Sequence, residues 1–249
     1  MAGPDAPLDL VTGAFGNTGA RIAGLLAAQG RSVRTLTTSG PGPDDDGTIA
    51  VVRPDWDDPS SLVAAFDGVS TFFNTFWMRT GTSGSHGTDY SVPLARSRAL
   101  LEAARRAGVE RIVHLSVAHA DAPGAQRYPY FAAKARVEEL LRATEVPHAI
   151  VRPALVFGGG PGLVEQLVRV LRRAPVFGVA GDGQYRVRPV HVDDVARLCV
   201  DGAATATVGA TPVDAVGPER PTFEELVRDV GDALGRRVRI VHLPAPLVV

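Results

Sequence analysis

LDLVTGAFGNTGARIAGLLAAQG, residues 8–30, decides the fold. The apolar run 8–11 reads as a short strand, and from Asn17 the apolar residues recur with helical spacing until Gly30 stops them. Between the two lie Gly13, Gly16 and Gly19. A glycine turn that follows a strand and opens a helix leaves backbone amides and a helix N-terminus bare, where a pyrophosphate can approach. The plainer alternative is a strand–helix turn that holds nothing.

Working outward, the same alternation continues. Residues 32–38, 49–55, 69–76, 111–117 and 148–157 read as strands, and 59–68, 91–108 and 130–143 as helices. This is the pattern of an α/β protein with a doubly wound parallel sheet of the Rossmann type. Residues 1–157 are expected to form the dinucleotide-binding domain. After 157 glycine and proline cluster, 174–189 has the look of a hairpin, and helical stretches at 191–204 and 221–234 flank TPVDAVG at 211–217. Residues 158–249 are therefore expected to form a smaller substrate-binding lobe, interleaved with the sheet and not independent of it.

Composition narrows the partners. With 45% hydrophobic and 21% charged residues in 249 the chain is globular, and a net charge of -1 gives no footprint for nucleic acid or an anionic membrane. A small-molecule substrate is the expectation. Cys199 is the single cysteine, so there is no intrachain disulfide and no thiolate cluster for zinc. No run of 18 apolar residues and no basic, apolar leader occur, which predicts a soluble, cytoplasmic protein. His191 with Asp193 and Asp194 could suggest a metal, but HVDDVARL opens a helix, where a carboxylate cap is the expected role; no metal is predicted.

The end of the second strand reports on the cofactor. It reads Thr37, Thr38, Ser39, without the carboxylate that would bind the 2′-hydroxyl of NAD and repel a phosphate. Those hydroxyls, with Arg34 nearby, tilt the expectation to NADP(H) over NAD(H). Among 26 Lys plus Arg, Lys134 is the only lysine, four residues after Tyr130 on a predicted helix. An ammonium there lowers a phenol's pKa and lets it exchange a proton near neutral pH. The alternative is an exposed tyrosine beside a solvated lysine.

Together VTGAFGNTG, Asp55-Trp56, FFNTFW, RIVHLSV, YFAAK, VRPALVFG and LRRAPVFGVAGDGQYRVRPVHVDDVA resemble the short-chain dehydrogenase/reductase superfamily, and within it the atypical branch that includes NmrA-like and complex I subunit-like NAD(P)-binding proteins. The resemblance implies that Gly13, Phe15, Gly16, Asn17, Thr18 and Gly19 hold the pyrophosphate. It places Asp55 and Trp56 by the adenine, Asn74, Thr75 and Phe76 along the cofactor, and Pro153, Ala154 and Val156 near the nicotinamide. Ser116 would polarise a substrate oxygen, with Tyr130 as acid/base and Lys134 as its tuner and ribose ligand. Asp55 could instead cap a turn, and Ser116 could satisfy a strand-end backbone group. Two features depart from the pattern: Arg96 stands where an asparagine often supports the lysine, and Ser116 precedes Tyr130 by only 14 positions.

Trp77, Met78, Arg79, His86, His119, Phe157 and Tyr185 are the substrate-facing candidates, a set that suits a flat or aromatic molecule. The expected function is an NAD(P)(H)-dependent oxidoreductase acting on a carbonyl or alcohol. A non-catalytic NADP(H)-sensing regulator of the NmrA kind, and an epimerase or lyase with transient or structural use of the cofactor, are the alternatives. A homodimer is expected by family analogy alone.

Overall fold

A strand covered on both faces must be apolar throughout, and Leu10 and Val11 of β1 (Leu8–Val11) are fully buried. The computed structural model describes residues 6–38, 47–77, 89–160 and 162–244. Asp9 is buried in the same strand, and it is tolerated because Arg31 grips its carboxylate with both Nε and Nη2. Between them runs α1 (Asn17–Ala28), which ends at Gln29 and is followed by Gly30 at φ +74°, a left-handed cap.

The chain continues through β2 (Ser32–Leu36), β3 (Ile49–Val52), α2 (Pro59–Ala64), β4 (Val69–Asn74), α3 (Ser91–Arg106), β5 (Arg111–Leu115), α4 (Pro129–Arg142) and β6 (His148–Pro153). It then forms β7 (Leu155–Phe157), α5 (Leu163–Arg173), β8 (Val176–Ala180) and β9 (Pro189–His191). Last come α6 (Val192–Ala204), β10 (Val213–Ala215), α7 (Phe223–Ala233) and β11 (Arg239–Leu243). Seven strands make one parallel sheet in the order β10-β6-β5-β4-β1-β2-β3. Strand order reverses between β1 and β4, and in such sheets ligands bind at the carboxyl ends beside that switch point. Helix α3 packs against α2 and α4, over a core in which Leu10, Phe66, Phe72, Leu100, Ile112, Val137, Leu141 and Ile150 are buried.

Two compact units result: residues 1–153 with 193–215, and 154–192 with 216–249. The texture of the sequence suggests one boundary after 157. The chain instead passes between the units at 153, 192 and 215, because β10 takes its hydrogen-bonding partner from β6. In the second unit Leu167, Leu171, Val179, Phe223, Leu226, Val227 and Val230 form the core. Thr222 starts α7 with a capping box: its hydroxyl accepts from the Glu225 amide at 3.1 Å, while the Glu225 carboxylate accepts from the Thr222 amide at 2.7 Å.

Residues 174–189 do not form the expected hairpin. β8 pairs in parallel with β11, and β9 in parallel with β7, so both partners are distant in sequence. Gly181 and Gly183, at φ +64° and +69°, do turn the chain, but β9 opens on Pro189, and its partner is β7. The strand expected over 148–157 divides at Ala154 into β6 and β7, which belong to different sheets.

Candidate active site

The glycine loop is locked to the carboxyl ends of three strands. The Thr12 hydroxyl donates to the Phe73 carbonyl at 3.3 Å and accepts from the Thr75 amide at 3.0 Å, while the Thr75 hydroxyl donates to the Thr12 carbonyl. Thr35 of β2 donates to the Val11 carbonyl at 2.7 Å and accepts from the Ala14 amide at 3.3 Å. Gly13 has φ +67°, a left-handed conformation that favours glycine. A Cβ on Gly19 would lie 2.1 Å from the Gly13 carbonyl oxygen, so that helix position has no room for a side chain. Gly16 caps α1 without a side-chain hydrogen bond, which leaves the first-turn amides to an incoming acceptor.

Above this loop lies a cavity of about 470 Å³. Its floor is Thr12, Gly13, Gly16, Asn17, Thr18 and Gly19; Leu36, Thr37 and Thr38 line it from the end of β2, Pro54 and Trp56 from beyond β3, and Thr75, Phe76 and Trp77 from beyond β4. Arg96 and Leu100 of α3 and Leu115 of β5 complete the lining. Two lining side chains carry buried polar atoms without a hydrogen-bond partner, Oδ1 of Asn17 and Nε1 of Trp56. An acceptor and a donor left bare in one cavity fit a ligand that bears both, as a dinucleotide does. The Arg96 guanidinium lies 4.7 Å from the Trp56 ring centroid.

Of the expected cofactor residues, Gly13, Gly16, Asn17, Thr18, Gly19, Thr37, Thr38, Trp56, Thr75 and Phe76 line the cavity. Phe15 is half-buried and does not. Asp55 is exposed and spends its Oδ1 on the Asp57 amide at 3.0 Å, the turn-forming alternative. Asn74 is fully buried behind the lining, where its Oδ1 accepts from the Phe76 amide at 3.2 Å. Arg34 departs from expectation: Nη1 donates to the carbonyls of Ala65 and Asp67 at 2.8 and 2.9 Å, so the guanidinium ties down the end of α2.

Tyr130 and Lys134 stand one turn apart on α4 and meet the same indole. The Lys134 ammonium sits 4.3 Å from the centroid of the Trp77 ring, and Tyr130 meets that ring edge-on at 5.8 Å. Tyr90, a site residue that the sequence did not single out, stacks on Trp77 at 5.6 Å and touches Tyr130 at 6.1 Å. Lys134 is buried, and its Nζ donates to the Leu115 carbonyl at 3.2 Å. Burial pushes its pKa down to about 7, against the opposing charge of Glu138, which brings its titration toward the neutral range.

Ser116, buried at the end of β5, donates its hydroxyl to Oε1 of Glu138 at 2.6 Å. Glu138 in turn accepts two hydrogen bonds from Arg152, at 2.9 and 2.6 Å, and one from Arg142 at 3.1 Å; Arg152 also pairs with Asp121 at 2.9 Å. The serine is thus part of a buried ionic network joining β5, α4 and β6.

His119 is exposed at φ +64°, an uncommon conformation for a residue with a side chain. Pro153 ends β6 and accepts from the Ala118 amide at 2.9 Å. Ala154, Val156, Phe157 and Tyr185 belong to the second unit: Val156 pairs with Val190, Phe157 meets His191 edge-on at 5.2 Å, and Tyr185 stacks on Phe223 at 5.2 Å. Ser39, Met78, Arg79 and His86 lie outside the described residues. Asp193 and Asp194 fall in the first turn of α6, where they pair with Arg21 at 3.3 Å and Arg197 at 2.7 Å. Among the described residues no His, Cys, Asp and Glu cluster could hold a metal, and no helix is long and apolar enough to cross a membrane.

The chain is similar to known proteins. Residues 13–205 match the NAD(P)H-binding family. A ceramide reductase of Caulobacter vibrioides is 29% identical over 238 residues, covering 95% of this chain and 73% of that protein. The mitochondrial 40 kDa subunit of NADH-ubiquinone oxidoreductase from Neurospora crassa is 26% identical over 248 residues, 96% of this chain and 63% of that protein. Among solved structures, the Bordetella bronchiseptica enzyme WbmH in complex with NAD+ superposes with a TM-score of 0.80 at 20% identity, over 97% of this chain and 88% of that one. With its glycine loop, its parallel sheet and these relatives, the chain belongs to the NAD(P)H-binding family, in the atypical branch of the short-chain dehydrogenase/reductase superfamily.

Proposed function

We propose that the protein is an NADP(H)-dependent reductase or dehydrogenase that interconverts a carbonyl and an alcohol on a small organic molecule. One observation carries the reading. Trp77 lines the cavity above the glycine loop, and the same ring holds Lys134 against its face and meets Tyr130 at nearly a right angle. Cofactor pocket and proton-handling pair are thus joined through one side chain.

When bound, the nicotinamide supplies or accepts the hydride. In the reducing direction the Tyr130 phenol gives its proton to the substrate oxygen, and in the oxidising direction the phenolate takes it back. The charged form of Lys134 favours that phenolate by its positive field. Tyr90, Phe76 and Trp77 favour a flat or otherwise apolar substrate beside the pair. The likeness to a ceramide reductase supports the reductase direction. Thr37 and Thr38, with no carboxylate among the described residues that line the cavity, support NADP(H) over NAD(H).

A second reading has its own support. The Ser116 hydroxyl is donated to Glu138, which takes a polarising group away from a substrate and favours a non-catalytic dinucleotide sensor. Oxidation of NADPH by a panel of ketones and quinones separates the two. For the enzyme, Tyr130→Phe lowers turnover by about 10²–10⁴-fold with the NADPH dissociation constant unchanged. NADPH binding without turnover on any member of the panel favours the sensor.

A further inference from the structure

Helix α4 reaches the end of β5 twice, one turn apart. The Lys134 Nζ donates to the Leu115 carbonyl at 3.2 Å, and Oε1 of Glu138 accepts the hydroxyl of the next residue, Ser116, at 2.6 Å. Glu138 is itself held. From β6, Nε and Nη2 of Arg152 clasp its two oxygens at 2.9 and 2.6 Å, and Arg142 adds a bond to Oε2 at 3.1 Å. The Ser116 amide closes the frame by donating to the carbonyl of Val151, beside Arg152, at 2.8 Å. Glu138 is 1% exposed and Arg152 7%, and a two-pronged guanidinium on a buried carboxylate fixes its plane as well as its place. Strands β5 and β6 are already joined as sheet neighbours, and a buried ion pair often adds no more stability than apolar side chains of the same size. What apolar side chains could not supply is a negative charge beside a buried ammonium.

We infer that Glu138, clamped by Arg152, is a positioning residue for Tyr130 and Lys134: it fixes the strand end on which the Lys134 ammonium rests and faces that ammonium with a negative charge. This rests on the reductase reading of the pair. Ser116 then links the strand to the carboxylate instead of polarising a substrate. Burial lowers the Lys134 ammonium to about 7, and Glu138 opposes that fall. Around the ammonium also stand Tyr130 on its own helix, Tyr90 on the shared Trp77 ring, and His114 of β5, which burial pushes down to about 3 and so leaves neutral. Arg142 and Arg152 lie on the carboxylate.

Lys134 is the only lysine, so isotope-labelled lysine gives the whole protein one lysine side-chain signal by NMR, and its titration reads this group alone. The variants are Glu138→Gln, the double Glu138→Met with Arg152→Met, and Glu139→Gln at the exposed neighbouring carboxylate, each with thermal melts and with NADPH turnover on ketones and quinones across pH. The double variant removes the carboxylate without stranding its buried partner. In the parent and Glu139→Gln the signal should titrate near neutral pH. In Glu138→Gln and the double variant it should titrate at lower pH, since an ammonium without its negative neighbour loses its proton sooner. Turnover there should fall about tenfold or more, and its alkaline limit should move to lower pH. A folded Glu138→Gln with an unmoved lysine signal would overturn the inference. So would a double variant that turns over like the parent, or failure of both variants to fold, which would make the pair structural alone. A parent that turns over nothing would overturn the reductase reading, and the lysine signal would then decide the inference by itself.

Discussion

Lys134 is held where a charge is costly. The unfolded chain keeps its proton up to about 10.5, the folded chain only up to about 7, because burial disfavours the ammonium. Between those values unfolding takes up a proton, so this group's contribution to stability rises with pH from 7 to 10.5 and is at its worst below 7. Lys134→Met should therefore abolish turnover yet raise the melting temperature, most at about pH 6, and remove the rise between about pH 7 and 9. Melts of both proteins across that range check it. The lone lysine was visible in the sequence as an oddity, and so was its spacing from Tyr130. Its place on the Trp77 ring was not, since contact between β4's end and α4 is a property of the sheet order. The two arginines teach the same lesson. Arg34 and Leu36 share a strand face, but Arg34 lies roughly 7 Å back from the carboxyl edge and meets α2, whereas Leu36 reaches the cavity. Arg96 and Leu100, one turn apart on α3, both face it.

At the level of the element, strand and helix types followed from apolar period and turn residues. Most expected elements lie within a few residues of where they form. Partners did not follow. α5 reads LVEQLVRVLRR, a helical period hidden by the glycine-rich stretch before it, and β8 finds its neighbour in β11, dozens of residues later. The glycine loop was legible because its requirement is local: a left-handed residue at 13 and no side chain at 19. Gly19→Ala pushes a methyl group into the Gly13 carbonyl, so the loop must shift. NADPH affinity should fall by about tenfold or more, and stability by about 1–3 kcal/mol, measured by titration and urea unfolding.

On the scale of the whole molecule, the sheet is finished by distant chain. β10 reaches β6 only after the 154–192 stretch has been traversed, and α6 precedes it with Val195, Ala196 and Cys199 buried. A fragment ending at 157 would lack both, leaving β6 as a bare edge strand. It should aggregate, whereas the whole chain stays in solution; sedimentation of the two at equal concentration checks this. Division of the chain at 157 looked natural from composition because glycine and proline mark a turn in the chain, whereas membership in a unit depends on which strands hydrogen-bond. That interleaving also sets an order of birth. As the polypeptide leaves the ribosome, the sheet has an open flank until residue 215 has emerged, and the second unit waits for its last strand at 239–243. Every described residue that lines the cavity has been made by Leu115, yet the nascent chain must carry its unfinished sheet on to residue 215 before that flank can close.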